Sequence, residues 1–81
     1  MGYRVRFGND YISVSSKELE EEVKRLISFV THGEYMDIRD ALRIVHYLKK
    51  YKSKSPAAVA LVKMAEERIL EILKETGESL W

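Results

Sequence analysis

Tyr3-Arg4-Val5-Arg6-Phe7-Gly8-Asn9-Asp10-Tyr11-Ile12-Ser13-Val14 is the stretch that decides the fold. Residues 3–7 alternate apolar and basic, and residues 11–15 alternate as well. A period of two is what a half-buried strand requires. Gly8-Asn9 suits a two-residue type II′ turn, with glycine at the position that needs positive φ. The loop length fixes a register: Val5 opposite Ile12, Tyr3 opposite Val14, Arg6 opposite Tyr11, and Arg4 opposite Ser13. One face of this hairpin is then Tyr3, Val5, Phe7, Ile12 and Val14. The other is Arg4, Arg6, Tyr11 and Ser13. A lone hairpin is barely stable in water, so its apolar face predicts a further layer that covers it.

Downstream the period changes to that of a helix, three times over. Ser15-Ser16-Lys17-Glu18 opens the first helix, and Ser15 with Glu18 has capping-box spacing. Leu19, Val23, Leu26, Ile27 and Val30 form its stripe, and Gly33 is suited to the left-handed position beyond its end. Asp37 is the expected cap of the second helix. The stripe of that helix is Ile38, Ala41, Leu42, Val45 and Leu48, with Ile44, Tyr47 and Tyr51 on a neighbouring face. Ser55-Pro56 reads as an N-cap followed by proline at the first helical position. The third helix has the stripe Val59, Val62, Ala65, Ile69, Ile72 and Leu73, widened by Leu61, Met64 and Leu70, and Gly77 ends it. Residues 78–81 are expected to fray, or Leu80 and Trp81 to fold back onto apolar surface. The expected fold is a single domain over 1–81, mainly α with an N-terminal β-hairpin (ββααα). Its parts are a hairpin at 3–15 and helices at about 16–32, 38–52 and 56–76.

Composition bounds what such a domain does. With 46% apolar and 33% charged residues the chain is globular rather than disordered. No apolar run approaches the roughly 18 residues of a membrane span. The chain opens on a strand pattern, so no signal peptide is expected, and a cytoplasmic location follows by default. The lack of cysteine excludes disulfides and thiolate metal sites. The absence of Gln, a single Asn, and abundant Glu, Lys, Arg and Ile fit a thermostable protein, from a thermophile or an idealised design. Net charge is only +1 but unevenly spread. Residues 16–34 and 56–81 are acidic. Residues 35–55 are basic, with Arg39, Arg43, Lys49, Lys50, Lys52 and Lys54 against Asp37 and Asp40. Residues 35–55, and residues 1–15 with Arg4 and Arg6 against Asp10, are suited to a polyanion, and the chain as a whole is not.

Chemistry-bearing motifs are missing. There is no glycine-rich phosphate loop, nucleophile elbow or dinucleotide fingerprint. His32 and His46 fall on different helices, and with Glu34 or Asp37 they have no ligand spacing. Ser13, Ser15 and Ser16 read as strand and cap residues, with no base placed to activate them. No catalytic residue, metal or cofactor is expected.

Residues 11–48 read as strand, helix, short loop, helix. The loop and second helix contain Gly33-Glu34-Tyr35-Met36-Asp37-Ile38-Arg39-Asp40-Ala41-Leu42-Arg43. In Gly33, Tyr35, Asp40, Ala41, Leu42 and Arg43 this stretch resembles ribbon-helix-helix repressors and the DNA-binding half of ParD-like antitoxins. Ile12-Ser13-Val14-Ser15 and Lys17-Glu18-Leu19 resemble that family's strand and helix start, one residue short. The resemblance covers about half the chain and implies a fold of ribbon-helix-helix type with an added C-terminal helix. It also implies a homodimer in which strands pair across a two-fold axis and enter the major groove of double-stranded DNA. The side chains that would read base edges are Arg4, Arg6, Tyr11 and Ser13, with a phosphate at the N-terminus of the second helix.

Two features differ from the family pattern. The chain has a hairpin where the family has one strand, which leaves open a four-stranded sheet or a ribbon made by 3–7 alone, with 8–15 as connection. Asp37 stands where the family carries a neutral cap.

The sequence thus supports a dimeric, sequence-specific DNA-binding transcriptional regulator that is not an enzyme. Lys49, Lys50, Lys52 and Lys54 are the candidates for backbone contact. The third helix, net acidic on its exposed side, is expected to stay off DNA and to serve the core or a protein partner. The alternative is a protein-interaction or structural module: an antitoxin-like adaptor, or a compact monomeric mini-domain whose third helix covers the apolar face.

Overall fold

A computed structural model describes residues 2–77. Two strands are followed by three helices: β1 (Tyr3–Phe7), β2 (Asp10–Val14), α1 (Lys17–His32), α2 (Ile38–Tyr51) and α3 (Pro56–Thr76). The expected packing of Leu80 and Trp81 lies outside the described residues.

The strands form a two-stranded antiparallel sheet with Tyr3 opposite Val14, Arg4 opposite Ser13, Val5 opposite Ile12 and Arg6 opposite Tyr11. The expected register holds throughout, and a ribbon of residues 3–7 with 8–15 as mere connection is ruled out. Gly8 has φ +64° while Asn9 keeps a negative φ, the sign pattern of a type II′ turn. Val5, Ile12 and Val14 are buried on one face, Phe7 is half-buried, and Tyr3 is exposed at the strand's open end.

Each helix is closed by the residue types that suit its ends. Asp37 accepts the Arg39 amide at 2.8 Å, and Ser55 accepts that of Ala58 at 3.3 Å ahead of Pro56. Gly33 and Gly77 end α1 and α3 in the left-handed region. One cap differs from expectation. Ser16, not Ser15, caps α1, accepting the Leu19 amide at 3.1 Å, so no Ser15–Glu18 capping box forms. Burial of Val14 keeps the strand running to its end, and one more extended residue is needed before Leu19, Val23 and Leu26 face the core. At its C-terminal end α2 stops at Tyr51, one residue short of expectation, with Lys52 as its C-cap.

Three layers result. β1 packs on α1, and β2 on α3 and α1; α2 packs on α3 and α1. Hairpin and α2 thus lie on opposite sides of the α1–α3 pair. Arg43 of α2 meets Glu22 of α1 at 3.6 Å, and Lys49 meets Glu66 of α3 at 3.1 Å. Phe29, Met36, Ile38 and Ile72 line one hollow, while Leu48, Lys52, Ala58 and Val59 line another. These contacts make α2 antiparallel to both other helices. The hairpin junction, the C-terminal end of α2 and the start of α3 gather at one end of the bundle.

The apolar stripes of the three helices meet one another and the hairpin inside the single chain. The core comprises Val5, Ile12, Val14, Val23, Leu26, Phe29, Met36, Ala41, Ile44, Val45, Leu48 and seven residues of α3, with no buried polar or charged residue among those described. Two α3 assignments are corrected. Val59, expected in the stripe, is 52% exposed, whereas Leu61, expected at its margin, is 0% exposed. Contacts with α2 on one side and with α1 and β2 on the other centre the buried arc on Ala58, Leu61, Val62, Ala65 and Ile69.

Candidate nucleic-acid interface

Period two does the first part of the work at the hairpin. With Val5, Ile12 and Val14 locked into the core, the residues between them have to point to solvent. Arg4, Arg6, Tyr11 and Ser13 are all exposed. Register puts Arg4 beside Ser13 and Arg6 beside Tyr11. The Arg4 guanidinium carbon lies 5.2 Å from the Tyr11 ring centroid, a cation–π contact that holds the planar group over the face. Arg6 Nε donates to the Gly8 carbonyl at 3.4 Å. Among the described residues neither arginine takes part in an ion pair, so both charges are available to an anion.

The lysines do not share that face. Lys49 and Lys50 leave from α2, Lys52 caps it, and Lys54 sits in the connection to α3. They are at the hairpin end of the bundle but belong to the layer across the α1–α3 pair. Lys49 is also engaged, donating to Glu66 at 3.1 Å. Lys50 Nζ lies 5.4 Å from the centroid of the Tyr51 ring. Lys52 is half-buried by the hollow it lines with Leu48 and Val59, and Lys54 is exposed. The structure therefore assembles the four hairpin residues into one surface and sets the lysines apart from it.

The N-terminus of α2, expected to hold a phosphate, lies at the opposite end of the bundle from the hairpin junction. Its Arg39 amide is already taken by the Asp37 carboxylate, which also places negative charge where an anion would sit. Tyr35, in the connecting loop, is 91% exposed.

One feature of the basic surface escapes sequence reasoning. Tyr47 and Tyr51 form a ring pair with centroids 5.3 Å apart, tilted by 41°. Their spacing of four along a helix was the available signal. On the face neighbouring the stripe, where the spacing puts them, Tyr47 is half-buried against the core and Tyr51 is exposed.

On α3 the solvent side carries Lys63, Glu67, Lys74 and Glu75, with Arg68 and Glu71 paired at 3.8 Å. Val59, Met64 and Leu70 are exposed apolar residues of the same helix. His32 and His46 are exposed on separate helices, and among the described residues no three His, Asp or Glu side chains are grouped to hold a metal ion. No described helix is long and apolar enough to cross a membrane. Comparison with protein-family models, curated proteins and solved structures finds no match to this chain.

Proposed function

We propose that this protein binds double-stranded DNA through the outer face of its hairpin and acts as a sequence-specific transcriptional regulator. The observation that carries the reading is the arrangement of Arg4, Arg6, Tyr11 and Ser13. They form one exposed surface on a two-stranded ribbon whose other face is core. A major groove roughly 12 Å wide admits a two-stranded ribbon. Strands about 4.8 Å apart fit within it with their side chains pointing at the base edges. Arginine presents the paired donors that match guanine, while Ser13 and the Tyr11 hydroxyl both donate and accept.

In ribbon-helix-helix proteins two subunits contribute one strand each. Here β1 and β2 of one chain supply the ribbon, and α3 closes the core beneath it. DNA contact in this reading does not depend on self-association, and two copies on adjacent half-sites are compatible with it. The lysine surface adds long-range attraction and no sequence reading.

Selection of a preferred duplex from a random pool, followed by titration with the Arg4→Ala/Arg6→Ala variant, tests the proposal. Affinity for that duplex should fall by about a hundredfold or more, as two guanine contacts would require. The thermal midpoint should barely move. Selection that yields no preferred sequence, or a double variant that binds as tightly as the parent, removes the hairpin from DNA recognition.

A second reading, a protein-interaction module, is favoured by Val59, Met64 and Leu70 on the outside of α3. Under it, Leu70→Glu abolishes partner binding while duplex affinity stays unchanged.

A further inference from the structure

Tyr51 is 63% exposed at the end of a helix whose Ile44 and Leu48 fill the interior. Its ring and that of Tyr47 stand together at the C-terminal end of α2. Around them the chain reads Lys49-Lys50-Tyr51-Lys52-Ser53-Lys54-Ser55, with no acidic residue. Lys49 is neutralised by Glu66, which leaves Lys50, Lys52 and Lys54. A helix C-terminus contributes about half a negative charge, so three lysines keep this end positive.

We propose that the Tyr47–Tyr51 pair with Lys50, Lys52 and Lys54 is a binding site for single-stranded nucleic acid. An unpaired base stacks on the exposed Tyr51 ring, and the lysines hold the phosphates on either side. Aromatic rings set among lysines are the device by which proteins take single strands without reading their sequence, because every base has a π-face. Paired bases in a duplex keep their faces covered, so this site selects unpaired nucleotides. Lys50 already lies by the Tyr51 ring, 5.4 Å from its centroid. A base arriving there displaces the ammonium group, whose flexible stem lets it swing to the adjoining phosphate. The site shares a ligand class with the hairpin but none of its residues, and it belongs to the layer across α1 and α3.

Fluorescence polarisation separates the two surfaces. The probes are a short oligothymidylate, an abasic oligomer of equal length and the preferred duplex. The full chain should bind oligothymidylate about tenfold more tightly than the abasic oligomer. Tyr51→Ala should erase that difference, and Tyr51→Phe should keep it, since stacking uses the ring and not the hydroxyl. Lys50→Ala with Lys52→Ala should flatten the salt dependence of oligothymidylate binding, by about 0.7 in slope for each phosphate no longer neutralised. Arg4→Ala/Arg6→Ala should leave oligothymidylate binding intact, so failure of the hairpin reading is visible separately as an unchanged duplex affinity. Equal affinity of the unaltered chain for the abasic oligomer and for oligothymidylate overturns the stacking site. That comparison needs no variant and so is independent of any effect of Tyr51→Ala on folding. Undiminished oligothymidylate binding by Tyr51→Ala overturns it as well.

Discussion

The hairpin and α3 are both amphipathic, yet only one of them could be read residue by residue. In the hairpin the core face and the solvent face are separated by a single step along the chain, and Gly8-Asn9 pins the pairing. A slip of β1 by one residue would bury Arg4 and Arg6 and expose Val5, so the sequence tolerates one solution. In α3 apolar residues occupy more than half the circumference, and several adjacent arcs satisfy the helical period equally well. The neighbours choose among them: α2 from one side, α1 and β2 from the other. A strand in a two-stranded sheet answers to one layer. A helix shared by two layers answers to both, and its burial is a property of the assembly.

That contrast can be broken by substitution. The largest effect is expected at Leu61. Leu61→Ala should cost about 2–5 kcal/mol in denaturant unfolding, the range for large-to-small changes at sealed sites. A cost below that of ordinary surface changes would return Leu61 to the margin of the helix. Next comes the hairpin turn. Gly8 has φ +64° and nothing near its missing Cβ, so Gly8→Ala should lose stability through backbone conformation alone, by about 1–2 kcal/mol. A neutral result would mean that the turn relaxes to a different type.

The cap of α1 is a sharper and smaller test. Ser16→Ala should cost about 1 kcal/mol, while Ser15→Ala should cost almost nothing. Reversal of the two would move the helix start back to the capping-box frame. The smallest effect is expected at Val59, where Val59→Ala should stay within about 0.5 kcal/mol in the same unfolding measurement, despite its place in the apolar periodicity.

Legibility followed the range of the interactions involved. Turn, register and the Asp37 and Ser55 caps depend on a few consecutive residues and were visible. Ser16 displaced Ser15 because the cap also has to satisfy the burial of Val14, which is decided by the sheet. Phe29 and Met36 were absent from the expected core because they are buried by the return of the chain around the end of α1, close to Ile38 and Ile72. The candidate site divides the same way. Arg4, Arg6, Tyr11 and Ser13 share a face by alternation alone. Whether Lys50, Lys52 and Lys54 join them depends on which side of α1 and α3 receives α2, and no local pattern encodes that side. Tyr47 and Tyr51 had the right spacing for a pair, but aromatic residues at helical spacing suit a core just as well.

The contact between β2 and α3 also orders events in time. It joins the start of the chain to its last helix, across a loop of some forty residues, whereas the turn of the hairpin closes over two. Local closures take roughly microseconds, and non-local ones wait on the entropy of the longer loop. Val5, Ile12 and Val14 have no complete cover until α3 docks, and a bare hairpin is barely populated in water. The surface proposed to meet DNA is encoded first and becomes rigid last. Fluctuations that undock α3 will therefore be felt at Arg4 and Arg6, and hydrogen exchange at the amides of β2 will report the opening of a helix that begins more than forty residues away.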